Sequence, residues 1–135
     1  MTGPRPAAQP VAVGVSFIDC INRRDVPALG RLMTEDHVLQ VFDEAPLTGR
    51  AENVAAWHGY AEAYPDYCIH PHRLAEAAGR VAVLGHTTGS HVGVPPEEER
   101  NLTLIWVAEV VGAAVRSWTL IADTAENRRR YGLTG

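Results

Sequence analysis

The second half of the chain alternates apolar and polar residues in four segments, and this pattern constrains the fold more than any other feature. The segments are residues 67–75, 80–92, 102–111 and 114–123. Alternation over four to eight residues is typical of strands that bury one face. The turns at Ala78-Gly79 and Gly112-Ala113 are short enough to close hairpins. We therefore expect an antiparallel meander here.

Before the meander, apolar residues recur at helical spacing. Phe17 and Ile21 are one helical turn apart and lie on one apolar stripe. The helix that carries them is expected to end near Asn22. Asp25 can cap the free amides of a second helix, which then runs to about Met33. Two short helices are therefore expected before the first strand.

One strand and a longer helix connect these helices to the meander. Residues 37–42 alternate as a strand does, and a third helix is expected from about Arg50 to Tyr64, where Pro65 stops it. Three helices followed by a meander predict an α+β domain. The helices would pack on the concave face of a curved, mostly antiparallel sheet.

Length and composition fit one domain. A chain of 135 residues, 46% of them hydrophobic, should bury about two thirds of its unfolded surface. Residues 1–10 contain three prolines and predict a disordered tail, so the domain is expected to span residues 11–135. No stretch approaches the roughly 18 apolar residues of a membrane span, and no apolar signal segment begins the chain. We expect a cytoplasmic protein with no membrane partner.

Charge and residue usage exclude several functions. The net charge of −4 argues against nucleic acid as a partner. All 12 basic residues are arginine, so Schiff-base chemistry and a P-loop lysine are excluded. This usage is also typical of GC-rich bacterial genomes. Cys20 and Cys68 have neither metal-ligand spacing nor the density of a disulfide scaffold, and reduced thiols are expected.

Short local signals in a fixed order point to a family. They are Phe17 with Asn22 and Asp25, Thr48-Gly49-Arg50, Tyr64-Pro65-Asp66, residues 79–83, residues 89–96, and Trp118 with Asp123. Their order and spacing resemble the nuclear-transport-factor-two-like superfamily and, within it, the SnoaL-like polyketide cyclase branch. The resemblance covers nearly everything from Val11 to Leu133.

The resemblance implies a cone-shaped, cystatin-like α+β barrel with a deep pocket between the helices and the sheet. Such proteins are usually dimeric and need no cofactor. They include cyclases, isomerases and epoxide hydrolases that act on hydrophobic small molecules, and also proteins without catalysis. The fold therefore does not decide the function.

At the positions where such relatives place catalytic groups, this sequence has residues that cannot transfer a proton. The matching positions are Phe17, Val41, Trp106 and Leu120. Trp118 lies on the same strand face as Leu120, two residues away. A pocket lined by such apolar and aromatic side chains favours a flat apolar ligand, since burying apolar surface stabilises a complex by about 25 cal/mol per Å². All five residues are predicted to shape the substrate site.

Two residues remain as candidates for proton transfer. Asp43 lies two residues beyond Val41, so a continuing strand would return it to the pocket side, where burial would raise its pKa. Alternatively, Asp43 begins a turn and is solvated. His91 matches a position near the pocket rim where the family often has a histidine, and it could exchange protons near neutral pH. Alternatively, it is a structural turn histidine.

An aromatic stripe on the third helix admits two roles that can hold together. Trp57, Tyr60 and Tyr64 recur at helical spacing, which is typical of core packing. In the resembled fold this face also roofs the pocket, so both tyrosines could donate to a ligand. All three residues are therefore counted in the predicted substrate site.

Other polar groups are expected to have no catalytic role. Three histidines, His70, His72 and His86, lie on adjacent strands and could bind zinc, but the resemblance points them outward, and we expect no metal site. The acidic run at 97–100 and the arginines at 128–130 are expected to be solvated surface, or alternatively to meet across a dimer through their opposite charges.

The leading hypothesis is a cofactor-free tailoring enzyme, a cyclase, isomerase or hydrolase acting on a polyketide-like or terpenoid-like molecule. The alternative is a protein of the same fold that only binds a hydrophobic ligand or dimerises. A homodimer is expected from the resemblance, formed by the outer sheet face. Alternation places four residues there, Ile105, Val107, Thr119 and Ile121, an apolar set too large to leave in water.

Overall fold

The computed structural model describes residues 9–134. It contains five helices and six strands in the order α1 Pro10–Asn22, α2 Val26–Arg31, β1 Met33–Val41, β2 Leu47–Thr48, α3 Arg50–Ala63, β3 Cys68–Ala77, β4 Arg80–Thr88, α4 Pro96–Glu99, β5 Leu104–Val111, β6 Ala114–Ala122 and α5 Ala125–Arg130. Most of the predicted disordered tail lies outside the described residues. Its last residue, Pro10, is the first residue of α1.

The three predicted helices and the four strands of the meander are present at nearly the predicted bounds. The first strand begins at Met33, four residues before the predicted start at His37, so it directly follows α2. Three short elements were not predicted, namely β2, α4 and α5. Each has two to six residues, too few to show a hydrophobic period.

The six strands form one sheet in the order β2-β1-β6-β5-β4-β3. All neighbours pair antiparallel except β1 and β6, which are parallel. Helices packed on this mostly antiparallel sheet confirm the predicted α+β class. In the β3–β4 hairpin, Ala78 and Gly79 have φ angles of 52° and 80°, as expected for a tight two-residue turn.

The side chain of Asn22 attaches α1 to the edge strand β3. Its Nδ2 donates to the carbonyl of Ile69 at 2.9 Å, and its Oδ1 accepts from the Ile69 amide at 2.8 Å. The side-chain amide of Asn22 therefore makes the same pair of hydrogen bonds with the backbone of Ile69 that a neighbouring strand would make. This places the end of α1 over the sheet, where Phe17 and Ile69 enter the main apolar core.

A second apolar cluster covers the outer face of the sheet. Leu133 is completely buried and packs with Ile105 and Val107. The sequence argument for a dimer assumed that a single copy exposes this face to water. This premise is wrong, because Ile105 is 0% exposed and Val107 is 8% exposed. The segment after α5 covers both. Thr119 and Ile121 are half-buried, and the homodimer stays a prediction.

Asp123 fixes α5 to the end of β6. Arg128 donates from Nε to Oδ1 at 2.6 Å and from Nη2 to Oδ2 at 2.7 Å, and the Thr103 hydroxyl donates to Oδ2 at 2.5 Å. These hydrogen bonds, that of Arg128 above all, lower the pKa of Asp123 below its usual value. Arg128 is at the surface, as predicted for residues 128–130, but its guanidinium is also paired with Asp123.

None of the helices in residues 9–134 has the length and apolarity to cross a membrane.

A buried histidine makes stability depend on pH. His37 is 0% exposed, and its Nδ1 lies 2.6 Å from the carbonyl of Val115. Burial lowers the pKa of His37 below its ordinary 6.5. In the unfolded chain His37 therefore takes up a proton near pH 6.5, whereas in the folded chain its ring stays neutral. The free energy of unfolding falls as the pH drops from 6.5 toward the lowered pKa.

We expect denaturant unfolding at about pH 7.5 and about pH 5.5 to show this loss in the wild-type protein. His37→Gln should show a smaller loss between the two pH values. The exposed His58 gives a matched control, and His58→Gln should keep the wild-type pH dependence. Equal pH dependence in His37→Gln and wild type would contradict this role.

Candidate active site

A cavity of ≈ 190 Å³ opens between α3 and the inner face of the sheet. Its lining residues are Leu39, Val41, Ala56, Trp57, Tyr60, Tyr67, His91, Trp106, Trp118 and Leu120. Most of the predicted site residues lie in this wall. Strand register explains their meeting, because Leu120 pairs with Trp106 on β5 and with Val41 on β1.

The wall is mainly aromatic. All three tryptophans of the chain, Trp57, Trp106 and Trp118, line the cavity. Trp106 and Trp118 stack with ring centroids 6.5 Å apart. The indole Nε1 of Trp57 is buried and has no hydrogen-bond partner within the described chain. The cavity therefore offers flat apolar surface, and next to it lies a donor that no protein group satisfies.

The polar groups of the cavity include a hydrogen-bonded pair at its mouth. The Tyr60 hydroxyl lies 2.9 Å from Nδ1 of His91, and the backbone amide of His91 donates to the same oxygen at 3.2 Å. His91 itself is exposed. The Tyr60 hydroxyl carries its proton at neutral pH, as in any tyrosine, and burial raises its pKa further. Burial likewise raises the pKa of Tyr67 above its ordinary value.

A glycine fixes the start of the loop that carries His91. Gly89 has a φ of 69°, and a Cβ there would lie 2.5 Å from the carbonyl oxygen of Asp66. Only glycine allows this approach of the two backbones. The loop is thereby held against the segment between α3 and β3.

Two predicted wall residues support the site from behind. Phe17 is 0% exposed and packs on Trp118, with ring centroids 4.9 Å apart, so it backs the wall and does not line it. Tyr64 packs on Tyr60 at 4.7 Å and on His91 at 6.0 Å. It lines a smaller neighbouring pocket and does not border the main cavity.

The structure places Asp43 in an exposed turn, outside the cavity lining. The predicted return of this carboxylate to the pocket side required the strand to continue. Instead β1 ends at Val41, and Phe42 has a φ of 49°. A left-handed residue breaks the alternation of side chains. Of the two alternatives for Asp43, the structure shows the solvated turn, and the burial that its predicted catalytic role required is absent.

Three lining residues were not among the predicted site residues. Leu39 lies two residues before Val41, so the same alternation could have placed it there. Tyr67 precedes β3, and Ala56 lies on α3 next to Trp57. The resemblance places Tyr67 on the inward face with Ile69, so Tyr67 could have been included, whereas Ala56 carries no sequence signal that separates it from ordinary surface.

The burial of Glu99 contradicts another prediction. The acidic run was expected to be solvated, but Glu99 is only 2% exposed. Its Oε2 accepts hydrogen bonds from the Thr87 hydroxyl at 2.5 Å and the Ser90 hydroxyl at 2.6 Å. Within a run of three glutamates, no sequence signal separates the buried one from its neighbours.

The three histidines on β3 and β4 meet outside the cavity. His70 stacks on His86 with ring centroids 4.5 Å apart, and Nε2 of His72 lies 2.6 Å from Nδ1 of His86. His70 and His86 border a separate polar cleft. Across residues 9–134, no group of three or more histidine, cysteine, aspartate or glutamate side chains has an arrangement that could hold a metal ion.

Solved structures with the same fold come from several bacteria. A cystatin-fold protein from Novosphingobium aromaticivorans is 15% identical, with a TM-score of 0.72 over 84% of this chain and 98% of its own. A candidate polyketide cyclase from Sinorhizobium meliloti is 16% identical, with a TM-score of 0.69 over 84% and 100%. A candidate ketosteroid isomerase from Kribbella flavida is 22% identical, with a TM-score of 0.65 over 88% and 81%.

At these identities the structures show the fold alone. Comparison with curated protein sequences gives no significant match. The family model described as a SnoaL-like domain matches residues 15–126, which is most of the chain. The protein therefore belongs to the SnoaL-like family of the nuclear-transport-factor-two-like superfamily.

Proposed function

We propose that this protein is a cofactor-free enzyme that isomerises or cyclises a small hydrophobic carbonyl compound. One observation carries the proposal: an aromatic cavity has an imidazole and a tyrosine hydroxyl hydrogen-bonded to each other at its mouth. Such a site combines an apolar binding surface with an imidazole that can accept a proton and a hydroxyl that can donate one.

The cavity volume limits the ligand. A cavity of about 150 Å³ holds benzene, and this one measures ≈ 190 Å³. We therefore infer that it encloses one or two rings, as in a small terpenoid or a single end of a polyketide. A larger molecule would extend through the mouth, past the exposed His91.

The hydrogen bonds around Tyr60 suggest how protons move. Its oxygen already accepts from the His91 amide, and we infer that it also accepts from Nδ1–H of the imidazole. Nε2 of His91 is then unprotonated and acts as the base that takes a proton from the carbon next to the ligand carbonyl. The Tyr60 O–H donates to the carbonyl oxygen as it gains negative charge. Return of the proton at another carbon completes an isomerisation.

The similar structures support this class of reaction, since they include a candidate polyketide cyclase and a candidate ketosteroid isomerase. The step that we propose moves one proton within the ligand, so it requires no oxidant, reductant or resident cofactor.

The proposal predicts catalysed hydrogen exchange in a two-ring ketone. We expect the wild-type protein to speed deuterium incorporation next to the carbonyl of 2-tetralone in D₂O, measured by mass spectrometry. His91→Gln should lower this rate by about a hundredfold and Tyr60→Phe by about tenfold. His58→Gln, an exposed change on the same helix as Tyr60, should leave the rate unchanged. Equal rates in His91→Gln and wild type would disprove the catalytic role.

The second candidate function is ligand binding without catalysis. The apolar residues Val41, Trp106 and Leu120 in the wall favour it, because the cavity has no carboxylate in its lining as described. Since the tryptophans line the cavity, 2-tetralone that binds should quench their fluorescence. Quenching together with exchange at only the buffer rate would support binding alone.

A further inference from the structure

A buried carboxylate lies directly behind the loop that carries His91. Glu99 is the last residue of α4 and is 2% exposed. Within residues 9–134 it has no arginine or histidine at salt-bridge distance, and its hydrogen bonds come from two hydroxyl groups. Burying a carboxylate without a cation is costly. Its presence here therefore indicates a role beyond packing.

The two hydroxyl donors connect Glu99 to different parts of the structure. Thr87 lies on β4, in the rigid sheet, and is buried. Ser90 lies in the loop and directly precedes His91. The Ser90 hydroxyl also accepts from the amide of Val92 at 3.3 Å. Glu99 is thus hydrogen-bonded to the residue before His91, and through that residue to the one after it.

This arrangement determines where the imidazole lies. The residues on both sides of His91 are held by one hydroxyl group, which is itself held by a buried carboxylate. Between these fixed points the His91 amide donates to Tyr60 at 3.2 Å and the ring nitrogen lies 2.9 Å from the same oxygen. The close approach of Gly89 to Asp66 and the backbone bond from Gly93 to Ser90 also restrain this loop, and the Ser90–Glu99 bond is the one that ties both neighbours of His91 to a buried side chain.

The charge of Glu99 also acts on the cavity. Burial is the main cause that raises the pKa of Tyr60 and of Tyr67, and the charge of Glu99 adds to the rise of both. Both hydroxyls are protonated at neutral pH, as in any tyrosine, and can donate to a ligand carbonyl.

We propose that Glu99 is a positioning residue, which acts through Ser90 to hold the His91 imidazole in hydrogen-bonding contact with Tyr60. This inference rests on the proposed function for its effect on turnover. Its structural content, the fixed orientation of His91, can be measured separately.

Two single substitutions separate positioning from stability. Ser90→Ala removes the bond between Glu99 and the loop, and Thr103→Val removes a hydroxyl-to-carboxylate bond of the same kind, to Asp123, outside the cavity lining. We expect Ser90→Ala to lower kcat for 2-tetralone exchange about tenfold while KM changes less than about twofold, because a small displacement of a catalytic group slows turnover strongly. Thr103→Val should lower Tm about as much as Ser90→Ala, since each removes one donor from a carboxylate, yet keep kcat within about twofold of wild type.

Substitutions of the carboxylate itself complete the series. Glu99→Ala should match Ser90→Ala in kcat, whereas Glu99→Gln should restore most of the turnover, because its amide oxygen still accepts from Ser90. An equal loss of kcat in Thr103→Val and Ser90→Ala would overturn the proposal, since general loosening would then explain both.

Long-range ¹H–¹⁵N correlation spectra of the His91 ring report its orientation without any substrate. We expect the Nδ1–H tautomer in wild type and Thr103→Val, and a mixture of tautomers in Ser90→Ala. An unchanged tautomer in Ser90→Ala would overturn the positioning role. If wild-type protein shows no exchange that depends on His91, the proposed function fails, and the tautomer comparison still decides the role of Glu99.

Discussion

Replacing Leu133 with alanine is expected to lower the free energy of unfolding by about 2–5 kcal/mol. Leu133 is completely buried and covers Ile105 and Val107 on the outer face of the sheet. The substitution removes the side chain that holds the segment after α5 against β4 and β5. It leaves a cavity that the sheet beneath cannot fill by collapsing. Urea denaturation followed by circular dichroism measures the loss.

Leu102→Ala serves as the matched control, because Leu102 is 49% exposed. It should change stability by less than about 0.5 kcal/mol. If Leu133→Ala behaves like Leu102→Ala, the final segment is not docked in solution and the outer face is free. Sedimentation of both variants and wild type would then show whether a second copy covers that face, as the dimer prediction requires.

Replacing Leu120 with tryptophan is expected to weaken binding of 2-tetralone by about a hundredfold, or about 2.7 kcal/mol. Leu120 lies in the wall between Trp106 and Val41. A larger ring at this position takes up space in a cavity of only ≈ 190 Å³. The folded protein should persist, since the ring enters existing space and displaces no buried neighbour. Calorimetric titration measures the change without relying on tryptophan fluorescence.

Val111→Trp adds the same ring elsewhere and should bind like wild type. Val111 is 47% exposed and lies at the end of β5, outside the cavity lining. Undiminished binding in Leu120→Trp would show that the ligand occupies another site, such as the polar cleft beside His70. The proposed catalytic pair would then have no substrate beside it.

Local patterns predicted the fold well because each main helix and strand is long enough to show its hydrophobic period. The stripe of Phe17 and Ile21 predicts α1, and alternation predicts the four strands of the meander. The resemblance to SnoaL-like relatives assigned Val41, Trp106 and Leu120 to one wall before their register was known, and alternation added Trp118 to the face of Leu120. All four line the cavity.

The errors arose where backbone geometry or tertiary packing overrides the pattern. Asp43 leaves the cavity because Phe42 adopts a left-handed conformation, which no propensity of phenylalanine predicts. Glu99 is buried because α4 turns one of three adjacent glutamates toward Thr87 and Ser90. Leu133 is buried because a short helix brings it back over the sheet. None of these effects has a periodicity that could be read from the sequence.

The parallel pairing of β1 with β6 also constrains how the protein folds. The β4, β5 and β6 segments can pair as hairpins soon after each forms, but β1 has to wait for a partner about eighty residues further along the chain. Val41 and Leu120, partners across this pairing, come together only at that step. A nascent chain that lacks β6 therefore has no ligand cavity. We expect cavity closure to be a late, slow event in folding, because distant contacts form slowly.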